Sequence, residues 1–224
     1  MTGRHLIFDC DGVLVDSEPL SMRIDVEILA ENGVMLSEAA AHARFVGKTF
    51  AAMLGEIAAE FGVSFPADAS SHKDLRLLAL FERELKAVDG VRQALETIGH
   101  QRYSVASNSP AERVEAALRI AGLTGYFGNR VTTFEHVPRA KPEPDVFVES
   151  ARRAGYRPEQ CIVIEDSVTG VTAAHRASCR VLGFTGTHPT PATHARKLRE
   201  AGAVQIFHRM SELPALVEGL LHDA

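Results

Sequence analysis

Leu6-Ile7-Phe8-Asp9-Cys10-Asp11-Gly12 is an apolar run that stops abruptly at two aspartates separated by one residue. A short continuous apolar run bounded by a turn signal marks a strand buried on both faces. Three more follow: Tyr103-Ser104-Val105-Ala106, Cys161-Ile162-Val163-Ile164 and Arg180-Val181-Leu182-Gly183-Phe184. Between the later runs, apolar residues recur three and four positions apart, as at Val114, Ala117, Leu118 and Ala121, which is helical spacing. Strands alternating with helices predict an α/β fold, a doubly wound parallel sheet covered on both faces.

Helix ends are legible too. Ser109-Pro110-Ala111-Glu112 reads as a capping box with proline in the first turn, and Gly122 as the stop of that helix. Pro142 and Pro144 open another helix through Phe147 to Ala154, with Gly155 ending it. From Ser17 to about Lys86 the pattern changes. No strand-like run appears, Ala, Leu and Glu dominate, and breaks fall at Asn32-Gly33, Gly47, Gly62 and Pro66. This predicts a helical insert of about four helices. Within it Leu20, Met22, Ile24, Val26 and Ile28 alternate, which by pattern alone is a strand signal. A cap at Ser17, Pro19 just before the run and Asn32-Gly33 just after it favour a helix.

The bulk numbers restrict the function. With 224 residues, 46% hydrophobic and 24% charged, the chain can bury a sizeable core without disulfides or structural metals. A net charge of -5 without a basic run argues against a nucleic-acid partner. Cys10, Cys161 and Cys179 match no zinc or redox spacing and read as reduced thiols, Cys10 as a small filler at the strand end. No apolar segment is long enough to span a bilayer, and the first apolar stretch stops at Asp9, unlike a signal peptide. The expectation is a cytoplasmic protein without a membrane partner, a monomer or weak dimer. His42, His136, His188 and His194 share no ligand spacing and read as surface residues.

Three of the strand-like runs end in polar groups: Asp9-Cys10-Asp11-Gly12, Ser107-Asn108-Ser109 and Glu165-Asp166-Ser167. The carboxyl ends of strands in an open parallel sheet share one edge, where ligands bind. Crowding Asp9, Asp11, Glu165 and Asp166 there would cost several kcal/mol unless a cation intervened. All-oxygen ligands select Mg²⁺, which prefers to share its shell with phosphate. A carboxylate can attack phosphorus and form an aspartyl-phosphate. A second aspartate, offset by one residue, can handle the leaving-group proton. Lys141, just before a helix, would neutralise phosphate charge.

These residues resemble the haloacid dehalogenase superfamily. Asp9 to Ser17 is similar to its first motif, Ser107-Asn108 to the second, Lys141-Pro142 to the third, and Glu165-Asp166-Ser167 with Gly170 to the fourth. The resemblance implies a Rossmann-like catalytic core over residues 1–16 and 88–224, and a helical cap over 17–87, with Asp89-Gly90-Val91 at the return to the core. It implies Asp9 as nucleophile and metal ligand, and Asp11 as general acid/base with its backbone carbonyl on the metal. Ser107 and the backbone at Asn108 would hold the phosphoryl group, Lys141 would neutralise it, and Asp166 would bind Mg²⁺. Glu165 is either a further metal ligand or a helix-start charge.

The implied activity is magnesium-dependent hydrolysis of a small phosphorylated metabolite, a sugar or sugar-acid phosphate. The cap resembles the subgroup of β-phosphoglucomutase and many sugar phosphatases. In those mutases a histidine and an arginine stand where this chain has Ser21 and Phe50, which argues against a mutase. Arg44-Phe45-Val46-Gly47-Lys48 and Glu84 to Gly90 are more similar to phosphatases of the 6-phosphogluconate type. Lys48 is either an exposed lysine or the reader of an anionic leaving group. A mutase and a non-enzymatic scaffold are the rival readings. A dehalogenase would lack the counterpart of Asp11.

Overall fold

The computed structural model describes residues 4–45, 48–99 and 103–222, so the expected break at Gly47 lies outside the described residues. The chain divides into two compact units, Ser17–Leu85 and the remainder.

Among the described residues of the first unit, four helices follow one another: α1 (Glu18–Glu31), α2 (Glu38–Phe45), α3 (Phe50–Phe61) and α4 (Ala69–Glu84). The alternating stretch is helical. α1 buries Met22, Ile24, Asp25, Ile28 and Leu29. Met22, Asp25 and Leu29 form one stripe at three- and four-residue spacing, and the carboxylate in that stripe hides the helical period from a hydrophobicity reading. Ser17 precedes α1 without lending its side chain as a cap. The α3 cap is Thr49, whose hydroxyl accepts from the Ala52 amide at 3.2 Å. Met22, Leu29, Ala41, Phe45, Met53 and Ile57 are among the residues of this unit's own core.

The other unit holds, among the described residues, a six-stranded parallel sheet ordered β3-β2-β1-β4-β5-β6. Its strands are β1 (His5–Phe8), β2 (Tyr103–Ser107), β3 (Val131–Thr133), β4 (Cys161–Glu165), β5 (Arg180–Phe184) and β6 (Gln205–Phe207). Its helices are α5 (Val91–Ile98), α6 (Ala111–Ile120), α7 (Thr124–Phe127), α8 (Asp145–Ala154), α9 (Val168–Arg176), α10 (Pro191–Ala201) and α11 (Leu213–His222). The four runs read from sequence are the four central strands. Every residue of β1, β2 and β4 is buried, as continuous apolar patterns demand. β3 and β6 carry only three residues each and had no apolar run to announce them.

The chain leaves this unit after Asp16 and returns at Lys86. Val15 bridges Ala87, the Asp16 amide donates to the Lys86 carbonyl at 3.0 Å, and the Val88 amide donates to Leu14 at 2.9 Å.

Candidate active site

β1 and β4 run side by side in register, Phe8 beside Ile164, and the Asp9 amide donates to the Ile164 carbonyl at 2.9 Å. Asp9 and Glu165 therefore reach the carboxyl edge as neighbours. Here the strand order reverses, since β2 and β3 lie on one side of β1 and β4 on the other. Open α/β sheets place their ligand crevice at such a point.

Lys141 arrives from the loop before α8. Its Nζ donates to Asp9 Oδ1 at 2.6 Å, Glu165 Oε1 at 2.7 Å and the Ala106 carbonyl at 2.9 Å. The buried Phe147 ring lies 4.8 Å from that ammonium. Burial pulls the lysine pKa down, but the two carboxylates outweigh it and the net direction is up. At Asp9 burial is the largest influence and raises the carboxyl, Lys141 opposes, and Glu165 and Asp11 add to the rise; the net value is about 7. With three acceptors around it, the ammonium form of Lys141 is the one these hydrogen bonds describe. The surplus of negative charge around it is what a further cation would relieve.

Asn108 fixes the Lys141 backbone at both polar ends. Its Nδ2 donates to the Lys141 carbonyl at 3.1 Å, and its Oδ1 accepts from the Lys141 amide at 2.9 Å. The side chain of Asn108 thus holds the lysine loop. Ser107 is buried, and its hydroxyl oxygen accepts from the Ser109 amide at 3.0 Å.

Glu165 is fully buried with both oxygens engaged. Oε1 accepts from Lys141, and Oε2 accepts from the Ser167 amide at 2.8 Å and hydroxyl at 3.0 Å. Ser167 in turn caps α9 by accepting from the Gly170 amide at 2.9 Å. A Cβ on Gly170 would fall 1.6 Å from Glu165 Oε1, so only glycine fits beneath the carboxylate.

Asp9, Glu165 and Asp166 each bring one carboxylate oxygen within 4.8 Å of the other two. Three converging hard oxygens in a largely buried cluster fit a Mg²⁺ ion. Gly12, at φ 78, lets its backbone approach Asp166 closely. Thr187 donates to the Gly12 carbonyl at 2.9 Å. His194, expected at the surface, is buried, and its Nε2–H donates to the Asp166 backbone carbonyl. Its ring stacks on His188 with centroids 3.8 Å apart. Hydrophobic pattern could not reveal this brace, because it lies in the loop and helix after β5.

Ser109 does not cap α6. The helix has Pro110 at its cap position with no side-chain bond, and the carboxylate of Glu135 accepts from the Ala111 amide at 2.8 Å instead. The Ser109 hydroxyl is turned to Asp11, donating to Oδ2 at 2.6 Å, and accepts from Arg113. A hydrogen bond to a charged carboxylate replaces the local cap. Cys10 is buried, and burial first, then Asp11 and Asp9, push its thiol pKa well up, which suits a filler rather than a redox centre. Cys161 and Cys179 are also free thiols.

Within the helical unit, a pocket of about 90 Å³ is lined by Ser21, Asp25, Lys48, Phe50 and Lys73, among others. Lys73 is ion-paired with Asp25 at 2.5 Å and lies 4.6 Å from the Phe50 ring centre. Lys48 donates to both oxygens of Glu56, at 2.6 and 2.9 Å. The two lysines of the pocket are therefore each matched by a carboxylate. Lys73 and Asp25 escaped the sequence reading because neither belongs to a motif.

The haloacid dehalogenase-like hydrolase family model matches residues 4–178. The 6-phosphogluconate phosphatase of Escherichia coli K12 is 29% identical over 213 residues, covering 94% of this chain and 93% of its own length. Hexitol phosphatase B of the same organism is 30% identical over 182 residues, covering 78% and 80%. Among solved structures, a haloacid dehalogenase-like protein of unknown function from Agrobacterium tumefaciens C58 superposes with a TM-score of 0.86 at 34% identity, covering 97% of this chain and 99% of that one. No helix among the described residues is long and apolar enough to cross a membrane. With its strand-end carboxylates, its buried lysine and a family match spanning most of its length, this chain is a hydrolase of the haloacid dehalogenase-like family.

Proposed function

We propose that this chain is a magnesium-dependent phosphomonoesterase acting on a phosphorylated carbohydrate, with Asp9 as the nucleophile. The observation that carries the reading is the Asp9 carboxylate, buried at the strand-order reversal and bonded to Lys141. The relatives named for 6-phosphogluconate and hexitol phosphates support the carbohydrate class. An oxygen of Asp9 attacks phosphorus, an O–P bond to Asp9 forms, and the bond to the sugar oxygen breaks. Asp11 gives that oxygen a proton. Water then attacks the phosphoaspartate, Asp11 takes back a proton, and inorganic phosphate leaves. Ser107 and the Asn108 backbone hold the phosphoryl oxygens, and Lys141 neutralises them. Mg²⁺, held by Asp9, Asp166 and the Asp11 carbonyl, would supply the charge that offsets the carboxylates. Glu165 serves mainly to hold Lys141 and Ser167.

Hydrolysis is favoured over phosphate retention on a sugar because the helical-unit pocket has Ser21 and Phe50 where the related mutases carry cationic side chains. Its lysines are already paired. Lys48 would read a sugar-acid carboxylate only by giving up Glu56.

The decisive experiment is magnesium-dependent phosphate release from p-nitrophenyl phosphate and a panel of sugar phosphates, with wild type and Asp9→Asn. The variant should fold normally and turn over below about a thousandth of wild type. Comparable turnover by the folded variant would remove Asp9 from the role. Conversion of β-glucose 1-phosphate to glucose 6-phosphate faster than phosphate release would replace the phosphatase reading by a mutase.

A further inference from the structure

We infer that Arg113 and Ser109 form a positioning relay that orients the Asp11 carboxyl toward the leaving group. The inference rests on the phosphatase reading and adds residues to its machinery. Ser109 is buried at the end of β2, and Arg113 lies one turn along α6, half-buried. Arg113 Nη2 donates to the Ser109 hydroxyl oxygen, and that hydroxyl donates to Asp11 Oδ2 at 2.6 Å. The direction of this chain is fixed. A guanidinium has only donors, so it cannot accept from serine. The Ser109 proton must therefore point away from Arg113, toward Asp11. A second lock acts on the backbone, where the Ser109 amide donates to the Ser107 hydroxyl oxygen at 3.0 Å.

Oδ2 of Asp11 is thereby held as an acceptor, and the carboxyl plane is fixed in one orientation. In the first chemical step the carboxyl O–H bond of Asp11 breaks as the P–O bond to the leaving group breaks. The proton and the P–O electron pair both end on the leaving-group oxygen, and Asp11 becomes a carboxylate. Without the relay the carboxyl loses this restraint, and the proton is delivered from a misaligned donor. Capping does not account for the arrangement. The α6 amide is served by Glu135, so Ser109 is not needed there.

The test uses two leaving groups. A sugar alkoxide needs a proton to depart, whereas p-nitrophenolate leaves with far less assistance. Compare kcat and KM of wild type, Ser109→Ala, Arg113→Gln and Arg113→Lys on a sugar phosphate and on p-nitrophenyl phosphate, with urea unfolding as the control. The expected result is a kcat loss at least ~10-fold larger on the sugar phosphate than on the aryl ester for Ser109→Ala and Arg113→Gln. KM should change by less than ~3-fold, and Arg113→Lys should recover part of the loss. Equal losses on both substrates, or a loss confined to KM, would overturn the relay and make the pair structural or phosphate-binding. If Arg113→Gln fails to fold, Ser109→Ala alone decides by the same ratio. Wild-type protein inactive on both esters would instead sink the phosphatase reading.

Discussion

The Asp166 carboxylate occupies the space beside Gly12, with Oδ2 only 2.1 Å from where a Cβ on that glycine would stand. The β1 loop and the β4 loop meet here without room for one methyl group. Gly12 also sits at φ 78, where a side chain is strained. Gly12→Ala should therefore displace Asp166, lower kcat/KM ~100-fold or more, and cost about 1–3 kcal/mol of stability. Magnesium titrations of the rate, paired with urea unfolding, check this. A wild-type magnesium requirement in the variant would refute the coupling.

The proposed mechanism gives the adjacent acids Glu165 and Asp166 different tasks, and two variants should separate them. Asp166→Asn should raise the magnesium concentration for half-maximal rate by ~10-fold or more. Glu165→Gln presents an amide NH₂ toward the donors on Lys141 or Ser167. It should lower kcat by ~10- to 100-fold while moving the magnesium requirement less than ~3-fold. An equal shift in that requirement for both variants would make Glu165 a direct ligand.

The Lys73–Asp25 pair predicts a stability effect. Both side chains are largely buried, so Lys73→Met takes the ammonium partner from a buried carboxylate and should cost ~3–5 kcal/mol. The exposed Lys48–Glu56 pair is a contrast, and Lys48→Ala should cost under ~1 kcal/mol. Urea unfolding followed by circular dichroism distinguishes the two. Equal costs would show that burial does not set the value.

His5 supplies a pH dependence away from the site. It is buried in β1, its Nε2 is 2.9 Å from the Ser104 hydroxyl, and its ring stacks on Tyr156. Burial, then the nearby Arg130, lower its pKa to about 4 from 6.5. The folded state resists a proton that the unfolded state accepts, so its contribution is full above 6.5. That contribution is lost as pH falls toward 4, by up to about 3 kcal/mol. His5→Gln should flatten the stability profile over that window. Identical pH profiles for variant and wild type would exclude His5.

The sequence made the sheet's centre legible because β1, β2, β4 and β5 bury both faces and so read as unbroken apolar runs. β3 and β6 are three residues long, too short for a period. The strand ends pointed to Asp9, Asp11, Ser107 and Asp166 because polar groups cut those runs short, and Lys141 was read from its place just before a helix. What stayed hidden were side chains whose partners lie far along the chain. Ser109 matched a capping pattern but answers to Asp11, and His194 had no motif but meets the Asp166 carbonyl. Lys73 and Asp25 are charges in a helical core, and pattern reading assigns charges to solvent.

The junction at Asp16 and Lys86 has an evolutionary consequence. Because the backbone departs and returns across one hydrogen bond, the sheet experiences everything between as a single closed loop. The entropy of closing a loop rises only slowly with its length. An insertion there can be lengthened, rebuilt or exchanged at little expense to the strands. Selection can thus redraw residues such as Ser21, Phe50 and Lys73 in small steps while the groups at the strand ends stay as they are. In this sense the helical unit is a replaceable module of the chain.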